Sequence, residues 1–150
     1  MKKLIILILL LFGILNLSSC DVKFSNNTNI ETKGEEEMLF KINDEIVDVV
    51  WENNASVEAL KEYAKTEITI SMHKYGGFEQ VGSIGKTLPS NDTNIKTKTG
   101  DIVLYSSNQL VVFYGSNSWD YTRLGHINLS DEKIIDLLSN ENVTIKISVK

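Results

Sequence analysis

The chain predicts a mainly β fold, a closed barrel of about eight short strands with two short helices. Three observations point there. Apolar and polar residues alternate cleanly in Ile68, Ile70 and Met72, and again in Val143, Ile145, Ile147 and Val149, the period-two mark of half-buried strands. Only two stretches carry a helical period behind a capping residue. So many short strands favour closure over an open sheet, because closure removes exposed edges.

The elements follow in order. Met38–Asn43 and Ile46–Trp51 read as two strands, and the Asn43-Asp44-Glu45 break between them reads as a hairpin. Asn54 or Ser56 is placed to cap a helix to about Lys65, with Val57, Leu60, Tyr63 and Ala64 on one face. The strand through Met72 is broken by Gly76-Gly77. Gly82–Lys98, with its Gly, Ser, Asn and Asp and the chain's sole Pro89, reads as a long irregular loop. Ile102–Tyr105 and Gln109–Tyr114 form a hairpin across Ser106-Ser107-Asn108, and Tyr121–Asn128 reads as a further strand. Ser130 caps a second helix whose first turn carries Asp131 and Glu132, favourable to the helix dipole. Its expected buried stripe is Ile134, Ile135, Leu137 and Leu138.

The start of the chain speaks to location. Lys2 and Lys3 precede an apolar run from Leu4 to Leu17. As a helix this run reaches only about 21 Å, against roughly 30 Å for a bilayer core, so residues 1–19 read as a signal peptide rather than a span. Leu17-Ser18-Ser19-Cys20 resembles a bacterial lipobox, which implies that Cys20 is lipidated after cleavage. The expected location is the extracytoplasmic face of the cell membrane, held there by acyl chains. Residues 20–37 are polar and lack an apolar period, so they read as a lipidated cysteine and a disordered tether. The folded domain is expected over 38–150.

Charge and cysteine content exclude several classes. The formal charge is −5, and loss of Lys2 and Lys3 with the signal takes it to −7. Such acidity argues against nucleic acid, because no basic face exists to neutralise phosphates. Cys20 is the only cysteine, so its acylation excludes a disulfide, a cysteine nucleophile and a thiolate metal site. His73 and His126 lack local metal spacing and read as structural. No phosphate loop is present, since Gly82-Ser83-Ile84-Gly85 lacks the length and the ending. Neither a metal nor another cofactor is expected, and the domain is expected to be a monomer.

Four blocks carry a family resemblance: Tyr75–Gly82, Gly100–Tyr105, Leu110–Gly115 and Tyr121–Ile127. In this order they resemble the small bacterial cyclophilin-like proteins, over essentially 38–150. The resemblance implies a cyclophilin-like barrel with helices closing its ends, and leaves the chemistry to the residues. True cyclophilins carry Phe-His-Arg followed by a Phe and a Gln; Met72-His73-Lys74, Phe78 and Gln80 echo that order with shorter intervals. Lysine is a mobile point charge where arginine is a planar fork, so prolyl isomerase activity is not expected.

Two clusters are candidate ligand sites. Asn117, Trp119, Tyr121 and Arg123 put an amide, two aromatics and the sole arginine of the chain into seven residues. Trp, Tyr and Arg combine large contact area with a polar handle. On a strand, 119, 121 and 123 share a face. Phe78, Glu79 and Gln80 follow the glycine pair and are expected alongside them. The expected function is a non-catalytic, membrane-anchored module binding a small molecule or short peptide. A prolyl isomerase and an accessory envelope protein that binds another protein are the alternatives.

Overall fold

The computed structural model describes residues 36–150; the signal segment, Cys20 and nearly all of the expected tether lie outside the described residues. Ten strands and two helices follow in the order β1 Met38–Ile42, β2 Glu45–Val47, β3 Val49–Trp51, α1 Ala55–Tyr63, β4 Ile68–Tyr75, β5 Glu79–Ser83, β6 Thr93–Lys96, β7 Asp101–Tyr105, β8 Gln109–Phe113, β9 Ser118–Ile127, α2 Asp131–Leu138 and β10 Val143–Val149.

Nine of the strands make a nearly closed antiparallel barrel in the order β2-β1-β10-β4-β5-β8-β7-β9-β3. Its two end strands are neighbours in sequence, separated by Asp48 alone, so the backbone itself bridges the gap. The Asp48 carbonyl accepts from Asn128 N, and its carboxylate accepts from Asn128 Nδ2, each at 2.9 Å. These bonds pin the bend at which one extended segment changes partners. At the other margin of β1, Glu37 and Lys150 exchange two backbone hydrogen bonds, of 3.2 and 3.0 Å, and continue the β1–β10 ladder.

Alternation decides what fills the barrel. Phe40 and Ile42 of β1, Ile70 and Met72 of β4, Ile102 and Leu104 of β7, Leu110 and Val112 of β8, and Ile145 and Ile147 of β10 all point inward. Each such side chain contributes about 1.5–3 kcal/mol by leaving water. Asn54 Oδ1 accepts from Val57 N at 3.0 Å and starts α1, which presents Val57 and Leu60 to the core. Ser130 caps α2, whose Ile134, Leu137 and Leu138 are buried. Ile135 is 42% exposed, against expectation. It lies about 100° around the helix from Ile134, which carries it off the core-facing stripe.

The expected loop over 82–98 is only partly a loop. Gly82 and Ser83 complete β5, and Thr93–Lys96 forms β6, which pairs with β9 outside the barrel path. Gly82 is required where it stands, since a Cβ there would lie 2.6 Å from Ile70 Cγ2. β4 runs through His73, Lys74 and Tyr75 and ends at the Gly76-Gly77 break, as expected.

Candidate functional site

The outer face of β5, β8, β7 and β9 carries a second apolar cluster. Val103, Val111, Phe113 and Tyr121 are buried there, with Phe78, Val81 and Ile95 packed against them. Residues 101, 103 and 105 of β7 and 109, 111 and 113 of β8 reach this face by alternation, opposite to the core-facing set. Two hairpins frame it with the same loop plan. Tyr75 pairs with Glu79 across Gly76, Gly77 and Phe78, and Tyr105 pairs with Gln109 across Ser106, Ser107 and Asn108. In both loops the first two residues have positive φ: 58° and 75° for the glycines, 49° and 62° for the serines. Each turn therefore leaves a tyrosine at the end of its strand, on the outer side.

Between the two turns lies a hollow of about 380 Å³. Tyr75 and Glu79 form one side, Val81 and Val111 the floor, Tyr105 and Tyr121 the far side, and Asn117 and Trp119 the remaining wall. The Tyr121 ring meets Phe113 at 5.7 Å and Tyr105 at 5.9 Å, both edge to face, a geometry that adds about 0.5–1.5 kcal/mol per pair. Asn117 Nδ2 donates to the Tyr121 hydroxyl at 3.1 Å. Burial raises the Tyr121 pKa, and the neighbouring Glu79 charge raises it further. Tyr75 and Trp119 are 67% and 56% exposed, large aromatic faces open to an incoming group. A wider hollow of about 890 Å³ lies along β1, β3 and α1, but it is more open, and its carboxylates and lysines alternate with apolar side chains without an aromatic cluster.

Glu79 is the chemical centre of the smaller hollow. It is 5% exposed, and its Oε2 has no hydrogen-bond partner among the described residues. Loss of water around the carboxyl pushes its pKa up to about 7. A second buried acid on the same outer face shows the opposite arrangement. Asp101 is 2% exposed, yet it receives the Lys98 amide at 3.0 Å and Arg123 Nη1 at 3.2 Å, with His126 Nδ1 2.9 Å away. A buried carboxyl is ordinarily partnered in the way Asp101 is; Glu79 is not.

The expected site residues divide accordingly. Glu79, Asn117, Trp119 and Tyr121 come together in the hollow. Arg123 does not: it is committed to Asp101. The cause is a β-bulge, since β7–β9 pairing jumps from Ile102↔Gly125 to Val103↔Arg123 and leaves Leu124 as an extra residue. The bulge lets Arg123 and His126, three apart, both face Asp101. Gln80 is also outside the hollow. As the strand neighbour of Glu79 it points to the opposite face, where its Nε2 donates to Leu138 O and Asn140 O at 2.7 and 2.9 Å. Phe78 supports the hollow without lining it; its ring covers Gly76, and its carbonyl accepts from Tyr114 N and Gly115 N. The expectation missed Tyr75 and Tyr105. Their shared position immediately before a three-residue turn is the signal that would have found them. Lys74 of the cyclophilin echo pairs with Glu141 at 2.8 Å, and His73 is exposed.

An apolar body fits this hollow, with a hydrogen-bond donor or positive charge directed at Glu79. A family model described as the cyclophilin-like family matches residues 40–148. No curated protein and no solved structure gives a match.

Proposed function

The chain belongs to the cyclophilin-like family, and on that premise we propose that it is a membrane-anchored module that binds a small molecule or short peptide in the aromatic hollow, without catalysis. One observation carries the reading: a buried, unpartnered carboxyl at the wall of an open aromatic pocket. An orphaned buried acid costs stability by about 1–3 kcal/mol or more. A bound ligand that supplies the missing partner removes that cost. The volume of the hollow also falls within the range of small-ligand sites.

The isomerase alternative draws less support, because the Gln80 amide and the Lys74 ammonium are engaged elsewhere. The accessory-protein alternative asks for a flat face, whereas this one is concave. The anchor rests on the register of Leu17-Ser18-Ser19-Cys20 behind a short apolar run. Its place is the extracytoplasmic face of the membrane.

Two measurements test the proposal. A thermal-shift screen of the full chain in detergent is expected to yield compounds that raise the melting temperature, since a ligand that binds only the native state must do so. The rise is expected to vanish in Trp119→Ala; compounds that stabilise both proteins equally would place binding elsewhere. Cys20→Ser is expected to move the protein from the membrane to the soluble fraction. Retention in the membrane would contradict the lipid anchor.

A further inference from the structure

Tyr75, Tyr105, Tyr121 and Trp119 surround the Glu79 side of the hollow, and four aromatic π-systems beside one carboxyl make a distinctive chemical combination. The face of each ring is electron-rich and attracts a cation within about 6 Å of its centroid, most strongly for Trp and where water is excluded. Glu79 adds a formal negative charge when ionised. Nothing positive among the described residues offsets it: it makes no ion pair, Arg123 is held by Asp101, and Lys74 by Glu141. Val81 and Val111 supply an apolar floor that suits methyl or methylene groups. An anion would meet a carboxyl of the same sign among electron-rich rings. A neutral apolar ligand would leave the carboxyl unpartnered.

We propose that the hollow takes a small organic ammonium group, a primary or methylated amine, its charge against the Glu79 carboxylate and its substituents between the Tyr75, Tyr105 and Trp119 rings. This proposal rests on the reading of the hollow as a ligand site. The formal charge of the chain, −5, favours cations at longer range as well. Binding couples to protonation. Empty, Glu79 ionises near neutral pH because burial disfavours its charge; a bound ammonium favours the carboxylate, so occupancy expels the proton. Affinity for the cation therefore falls as pH drops below about 7. The titratable groups lining the hollow with Glu79 are the phenols of Tyr75 on β4, Tyr105 on β7 and Tyr121 on β9, and burial raises the pKa of the last of these. His73, two residues before Tyr75, pairs with Val81 on β4–β5 and is a further titratable group on that side.

The test compares choline with 3,3-dimethyl-1-butanol, which has the same shape with carbon in place of the charged nitrogen, and with n-butylammonium. Binding to the full chain in detergent is read by Trp119 fluorescence, with Trp119→Phe as the blank for Trp51. Choline or n-butylammonium is expected to bind at least about tenfold more tightly than the neutral isostere, a difference near 1.4 kcal/mol. Glu79→Gln is expected to abolish most of that preference. Tyr75→Ala, a change at an exposed ring that leaves the fold intact, is expected to weaken the cation severalfold. His73→Gln is expected to keep the loss of affinity below neutral pH, which would otherwise belong to His73. Glycerophosphocholine separates two sources of the same group: weaker binding than choline assigns the site to a free amine, equal or tighter binding to a lipid headgroup. Equal or tighter binding of the neutral isostere would overturn the ammonium proposal and leave the ligand site standing. Failure of both cations to bind would also overturn it, while the compound screen decides the wider reading separately.

Discussion

Two buried acids, Glu79 and Asp101, show how much one neighbourhood changes a residue. Asp101 is surrounded by donors, whereas Glu79 meets rings and valines. The pKa of Glu79 is raised from 4.5 to about 7, so between those values the native state keeps a proton that the unfolded chain has lost. Stability from this group is therefore greatest at low pH and falls as pH rises through that window. Glu79→Gln is expected to flatten this part of the stability profile and to melt several degrees above the wild type once pH exceeds 7. Parallel profiles for the two proteins would show that the carboxyl is hydrated. Arg123→Ala removes one donor from Asp101 and leaves two partners. The arginine is partly exposed, so a cost of only about 1 kcal/mol is expected in denaturant unfolding, with ligand affinity at the hollow unchanged. Loss of ligand binding in that variant would return Arg123 to the site.

At the scale of elements, alternation made most strands legible, and it made Trp119 and Tyr121 legible as members of one face. It failed at three places for physical reasons. β6 has a single apolar residue, Ile95, so no pattern marks it; pairing with β9 creates it. Leu124 is an ordinary residue whose role as the extra member of a bulge appears only once β7 is alongside. Glu79 and Gln80, adjacent in sequence, read as one site, but β5 sends their side chains to opposite faces. The Gly76-Gly77 turn was legible, and it yields a graded prediction. Both glycines have positive φ, which costs an ordinary residue about 1–2 kcal/mol. At Gly77 a new Cβ meets open space, whereas at Gly76 it would lie 2.2 Å from Phe78 Cε1. Gly76→Ala is therefore expected to destabilise clearly more than Gly77→Ala, and to loosen the hollow by displacing Phe78. Equal losses in thermal unfolding would mean that the ring moves freely.

At the scale of the molecule, the closed barrel was expected from the number of short strands, and it is the architecture found. How it closes was not legible, since nothing in Ile46–Trp51 announces that Asp48 divides one strand into two with different partners. Closure places one apolar set inside and leaves a second set outside, beneath Tyr75, Tyr105 and Trp119. A barrel whose outer face merely adds stability would cover these rings and partner its buried acid; this one does neither. The most direct test of the ligand-site account is fluorine NMR of the full chain labelled with 5-fluorotryptophan. The chain has two tryptophans: Trp51 packs edge to face against Phe40 of the core, and Trp119 lines the hollow. Titration with compounds from the stabilising screen, and with choline, is predicted to shift the Trp119 resonance in a saturable manner while Trp51 stays fixed. A stationary Trp119 resonance under compounds that raise the melting temperature, or a shift confined to Trp51, would contradict it.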